Sequence, residues 1–167
     1  SFIYPISAVG SHVSVVPNHQ TGRITPLETR AVTAMAGSFG YELDLGLLTD
    51  EEKTAVADQI RRFKNFGTLI HNGSYHRLTN PMNGNRAFWS YVSDDQSEAL
   101  VHGMIYRAPA NMKRSALRLS GLDENSLYSV NGTKETYSGA ALMNGGILLP
   151  MPWGDYTPVE IHLKKVK

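Results

Sequence analysis

Near His71–Tyr75 the hydrophobic rhythm of this 167-residue chain changes, from strands alternating with helices to short strands alone. Few architectures hold both rhythms in one chain. The first 73 residues read strand, loop, helix, strand, helix, the pattern of parallel βα units. Residues 8–16 read as a strand buried on both faces, with Gly10 and Ser14 allowing close approach of other backbone, and Pro17 ends it. Residues 38–43 form the second strand. Two such units cannot close a barrel or cover a parallel sheet. The N-terminal half is therefore expected to be an incomplete α/β layer. Ser1-Phe2-Ile3-Tyr4-Pro5-Ile6 reads as buried structure from its first residue, so a piece of a longer protein is expected.

Both helices carry start signals. Thr25 can cap the first, with Pro26 at the first helical position and Glu28 at the capping-box position, and Gly37 stops it. Thr49-Asp50-Glu51-Glu52 is a second capping box, with three acids in the first turn where the helix dipole favours them. Val56, Ile60, Phe63, Phe66 and Ile70 then recur at spacings of four and three and define an apolar face, while Arg61, Arg62 and Lys64 fall on the solvated side.

After Gly73, strands are expected at 75–78, 87–92, 99–107, 115–119, 127–130 and 159–163. Turn signals such as Asn83-Gly84, Asp94-Asp95, Asn131-Gly132 and Asn144-Gly145-Gly146 separate them, and the spacing predicts an antiparallel sandwich. The fold class is thus α/β plus all-β, with one domain over 1–73 and another over 74–167.

The chemistry-bearing residues concentrate in Gly10–Arg23, which holds His12, Asn18, His19, Gln20 and Arg23. In a parallel sheet, function gathers at the C-terminal strand ends. His12 is close to one and Asn18 and His19 lie just beyond it. A structural histidine, and a loop knitted by its own side-chain-to-backbone bonds, are the competing readings. The six histidines show no metal-ligand spacing, so no metal is expected. Most acids sort to helix starts and turns; only Glu42 and Asp44 sit at a strand end. No carboxylate pair suited to hydrolysis is visible. Trp89, beside Phe88 and Tyr91, and Trp153 in Pro150–Asp155 are either sugar-stacking platforms or packing residues. A net charge of +1 gives no footprint for nucleic acid or an anionic membrane, and there is no apolar run long enough to span a bilayer. The absence of cysteine excludes a disulfide framework and thiol catalysis, and fits a cytoplasmic location.

Tyr4-Pro5-Ile6-Ser7, Gly10-Ser11-His12-Val13-Ser14, Val16-Pro17-Asn18-His19-Gln20-Thr21-Gly22-Arg23 and Thr25-Pro26-Leu27-Glu28-Thr29-Arg30 together resemble bacterial α-galactosidases of glycoside hydrolase family 36. Gly40-Tyr41-Glu42-Leu43-Asp44, Arg77-Leu78, Leu119-Ser120-Gly121-Leu122-Asp123 and Tyr137-Ser138-Gly139 continue the resemblance over essentially the whole chain.

That resemblance implies a retaining hydrolase of terminal α-galactosides such as melibiose and raffinose, with a (β/α)8 catalytic barrel between two β domains. This chain would hold the last two barrel strands and the C-terminal β domain. The family's nucleophile and acid/base are aspartates in Lys-Trp-Asp and Ser-Asp-Asn-Thr-Asp type motifs, and neither motif occurs here. A retaining mechanism needs two carboxyl groups about 5–5.5 Å apart. The chain is accordingly expected to contribute no catalytic residue and to be inactive alone. His12, Asn18 and His19 would bind or support substrate, without cofactor. Its expected partners are the N-terminal portion of the same protein, a galactoside through the complete enzyme, and further copies in a homo-oligomer. The Asn18–Arg23 loop could instead be a subunit contact, and residues 75–167 a non-catalytic carbohydrate-binding or barrel-capping module.

Overall fold

A computed structural model describes residues 3–166 and divides the chain into two compact units, Ser1–His71 and Asn72–Lys167. In the first, strands β1 (Gly10–Ser14) and β2 (Ser38–Glu42) pair in parallel, Gly10 opposite Ser38 and Ser14 opposite Glu42. Helix α1 (Leu27–Ala34) connects them, and α2 (Asp50–Asn72) follows β2 after a single 3-10 turn at Leu45–Leu47.

The strand pair is covered on one face only. Val13 is fully buried, the Phe39 ring lies 5.0 Å from Phe63 of α2, and the Tyr41 hydroxyl donates to Gln59 at 2.7 Å. That face is apolar because α1 and α2 lie on it. The expectation of a strand at 8–16 buried on both faces is corrected: β1 is shorter, and Val13 is its one fully buried residue. The start of the chain departs from expectation too. Ile3 and Tyr4 are exposed, at 85% and 68%, and Pro5 is exposed, while Ser1 and Phe2 lie outside the described residues.

The expected cap at Thr25 does not form. Pro26 occupies the cap position without a side-chain bond, and Glu28 turns to α2 instead. Its carboxylate accepts from Gln59 Nε2 at 2.8 Å and from Arg62 Nη2 at 2.5 Å, and Arg62 also pairs with Asp58 at 3.0 Å. Gln59 is only 1% exposed, so its amide joins two helices and, through Tyr41, a strand. Arg62, expected on the solvated side, is drawn inward by Glu28, with 17% of its side chain exposed. Ile60 gives its expected place on the apolar face to Gln59. Burial pushes the Tyr41 phenol up to about 12, and the neighbouring Glu28 charge adds to this. The second capping box forms as read: Thr49 N–H donates to Glu52 at 2.9 Å and Glu52 N–H to Thr49 Oγ1 at 3.2 Å.

The second unit is a six-stranded antiparallel sheet in the order β3 (Ser74–Arg77), β4 (Arg86–Val92), β5 (Glu98–Ile105), β10 (Thr157–Lys165), β7 (Leu127–Val130) and β8 (Thr136–Ser138). A two-stranded sheet, β6 (Ala116–Leu117) with β9 (Ile147–Leu148), and the short helix α3 (Gly139–Asn144) complete it. Period-two alternation sends Phe88 and Val92, Ala99, Val101 and Ile105, and Val159, Ile161 and Leu163 to one face. Leu117, Leu119, Leu122, Leu142 and Leu149 pack against them in a single core. Sequence patterning does not anticipate β8, α3 or β9, whose two to six residues are too short to show a period. Phe88 faces Gly103 across β4 and β5, and its ring fills the space a side chain at Gly103 would need. Tyr128 is fully buried in this core, yet its hydroxyl donates to Gln96 O at 2.7 Å and accepts from Asp123 N–H at 3.0 Å.

Asp123 ties several segments together. Its carboxylate accepts from Ser126 Oγ at 2.5 Å, Lys165 Nζ at 2.9 Å and Asn125 N–H at 3.0 Å, which holds it down to about 2.

Two outcomes follow from these bonds. Gln59→Leu strands the Tyr41 hydroxyl and one Glu28 oxygen, and is expected to cost about 1–3 kcal/mol in denaturant unfolding. Because folding lowers the Asp123 pKa below an unfolded value near ~3.9, its contribution is present above that value and is lost as pH falls through about 2. The difference in urea midpoint between wild type and Asp123→Asn should therefore be full at pH 6 and shrink between roughly pH 4 and 2.

Candidate functional site

The face of β1–β2 turned away from the helices carries Gly10, His12, Ser14, Ser38, Gly40 and Glu42, by the same alternation that buries Val13 and Tyr41. None is a large apolar residue. A Cβ added at Gly10 or Gly40 would meet no atom of the described residues within 4 Å, so nothing described in this chain covers the face there. Across it, His12 Nε2 lies 2.6 Å from Glu42 Oε2, with side chains 49% and 75% exposed. Glu42 and Asp44, the two acids at this strand end, therefore separate in role. Glu42 faces His12, while Asp44 accepts from Gly46 N–H at 2.8 Å and caps the 3-10 turn.

Beyond β1, the loop at 15–24 is shaped by Asn18. Its Oδ1 accepts from Gln20 N–H at 3.1 Å, Thr21 N–H at 3.0 Å and Thr21 Oγ1 at 3.1 Å. The backbone closes the same turn, Asn18 N–H donating to Arg23 O and Gly22 N–H to Asn18 O. These are the local bonds that favour Asn in turns. His19 is exposed on this turn. Arg30 of α1 anchors the loop at both ends, donating from Nη1 to Ser14 O at 2.5 Å and from Nε to Thr25 O at 3.0 Å. Arg30 also lines the two clefts here. One, of about 320 Å³, is bounded by Ser14, Asn18, Thr21 and Arg23; the other, of about 430 Å³, by Val16, Glu42, Leu47 and Glu52.

The structure thus sets His12 and Glu42 together on the open face, and Asn18 and His19 on the adjoining loop. The His12–Glu42 pairing and the Arg30 anchor escape sequence reading, because the first depends on the parallel register and the second on how α1 packs on β1, bringing together residues about 30 and 16 apart. Among the described residues, no three His, Asp or Glu side chains gather where a metal ion could bind, and no helix is long and apolar enough to cross a membrane. In the second unit, His102 is fully buried with Nε2 2.9 Å from Glu160, and Trp89 packs edge-on against it at 6.3 Å. Trp89 is thus a packing residue, whereas Trp153 is 98% exposed.

Residues 1–73 match the Melibiase family model, and residues 86–163 match the glycosyl hydrolase family 36 C-terminal domain. The chain belongs to glycosyl hydrolase family 36. Over its whole length it is 47% identical to the bifunctional alpha-galactosidase/sucrose kinase AgaSK of Mediterraneibacter gnavus and 46% identical to alpha-galactosidase AgaA of Geobacillus stearothermophilus. It covers 18% and 23% of those proteins, so it spans about a fifth of the length of the relatives it matches. The solved galactosidase domain of AgaSK superposes with a TM-score of 0.96 at 46% identity, over 99% of this chain and 23% of that one. A crystal structure of an AgaA variant in complex with raffinose superposes at 0.95, with 45% identity and the same coverage of each chain.

For this family 36 chain, the Asn18 bonds predict a local effect of substitution. Asn18→Ala should remove the protection of the Gln20 and Thr21 amides against hydrogen exchange while leaving the amides of α2 protected, as measured by exchange mass spectrometry.

Proposed function

We propose that this chain is the C-terminal part of a retaining α-galactosidase. In this reading, residues 1–73 supply the last two βα units of a catalytic (β/α)8 barrel and residues 74–167 a C-terminal antiparallel β domain. The observation that carries it is the 46–47% identity to named alpha-galactosidases over the whole chain, with family models matching residues in both units. The one-sided β1–β2 pair supports it: helices lie on one face, and small and polar residues line the other, the interior face of a barrel. Galactosides of the raffinose and stachyose type are the proposed substrates, since AgaA variants have been crystallised with both.

The chain has no Lys-Trp-Asp or Ser-Asp-Asn-Thr-Asp run to supply the two carboxyl groups. Glu42 is engaged with His12 and Asp44 with a turn. The bond-breaking pair therefore belongs to the preceding portion of the polypeptide, and this chain shapes the pocket with His12, Asn18 and His19. Asn18 acts through the turn it builds, and His19 is displayed by that turn. A cytoplasmic location and a homo-oligomeric assembly complete the reading.

A non-catalytic role for the second unit is kept alive by one feature. A cleft of about 440 Å³ between β10 and the segment after β9, lined by Arg114, Asn131, Leu148 and Met151, has the size of a small-ligand site. Calorimetric titration of the chain with raffinose separates binding from simple capping of the barrel.

The isolated 167-residue chain is expected to show no hydrolysis of p-nitrophenyl α-galactoside, and the complete polypeptide to hydrolyse it. Turnover by the pure chain would overturn this division of labour. In the complete enzyme, His19→Ala should lower turnover with assembly intact; loss of assembly instead would make the loop a subunit contact.

A further inference from the structure

We propose that His12 and Glu42 form a sugar-hydroxyl subsite in which Glu42 fixes the imidazole through Nε2 and His12 Nδ1 contacts the ligand. The inference rests on the barrel reading above and deepens it, since that reading names His12 without saying which atom acts or what orients it. Two observations carry it. First, the 2.6 Å Nε2–Oε2 contact commits one ring nitrogen to a carboxylate, which holds the ring orientation and makes Nε2 the donor. Nδ1 is then directed away from Glu42, an acceptor in the neutral ring and a donor in the protonated one.

Second, the surroundings are small and polar: Gly10, Ser14, Ser38 and Gly40 share the face of the pair. Barrel interiors are normally packed by layers of Val, Ile and Leu. A sector of Gly, Ser, His and Glu forms no such layer.

The chemistry selects a neutral polyol. An anionic ligand would meet the Glu42 carboxylate, and among the described residues no third ligand joins the pair to hold a metal ion. A sugar hydroxyl, which can donate or accept, pairs with Nδ1 in either state of the ring without adding charge. Glu42 is on this account a positioning residue and His12 a substrate-contacting one.

The test uses the complete polypeptide. Gln at position 12 can still reach Glu42 but has no atom at the Nδ1 position. His12→Gln should raise KM for p-nitrophenyl α-galactoside tenfold or more, with kcat changed less than threefold and Tm unaltered. Glu42→Ala should raise KM three- to tenfold, and the double variant should be no worse than His12→Gln alone. Unchanged KM in a folded His12→Gln enzyme, or fully additive losses, would overturn the proposal. Should the variants fail to fold, wild-type enzyme answers instead. Saturating galactose should slow carbethoxylation of His12 by diethyl pyrocarbonate at least fivefold, read by peptide mass spectrometry, and no protection refutes the subsite. A wild-type enzyme without turnover defeats the α-galactosidase reading; active wild type with an unaffected His12→Gln defeats the subsite alone.

Discussion

The Glu28 carboxylate, held between Gln59 and Arg62, is the interaction on which the first unit depends. A parallel strand pair has no stability of its own and needs helices packed on it. Here α1 and α2 cover the pair, and Glu28 links the two helices to each other. Gln59 extends the link to β2 through Tyr41. With Arg30 donating to the carbonyls of Ser14 and Thr25, the same short helix holds both ends of the loop. Whatever the open face presents is therefore positioned from behind. A buried polar network of this kind is effective only when every member is satisfied, and the Gln59 amide uses both its oxygen and its nitrogen.

The second unit is held differently. Its sheet is antiparallel, so alternation rather than helix cover decides what is buried, and one leucine-rich layer closes over one face. The other face carries polar pairs between neighbouring strands, His102 with Glu160 and His162 with Glu98, at 2.9 and 2.6 Å. A histidine buried on a sheet costs free energy unless a partner satisfies it; Glu160, directly opposite in the register, takes up Nε2 of His102, while Nδ1 is buried without a hydrogen bond.

Local signals were legible in the sequence, and long-range ones were not. The Thr49 capping box, the extent of α2 and strand β7 at 127–130 follow from residues within one or two turns of each other. Glu28 shows the limit. Its spacing from Thr25 satisfies the capping rule, yet a charge-assisted bond to Arg62 from another helix outcompetes a bond to a half-exposed backbone amide. An apolar run implies cover on both faces of the first strand, and within this chain only one face of the pair is covered. At the site, the density of polar side chains in Gly10–Arg23 singled out the end of β1 and its loop, and the resemblance named the family. The partner of His12 was invisible, since Glu42 becomes its neighbour only through the parallel register.

The central claim is that the open face of β1–β2 lines the galactose pocket while the bond is broken by residues outside this chain. A crystal structure of the complete polypeptide with a galactose-configured inhibitor, such as the 1-deoxygalactonojirimycin found with an AgaA variant, tests it most directly. The account predicts a sugar hydroxyl within about 2.6–3.2 Å of His12 Nδ1, with two aspartates preceding this chain flanking the anomeric carbon. An inhibitor bound with apolar side chains packed over His12 and Glu42, or with a carboxylate of this chain at the anomeric carbon, would contradict it.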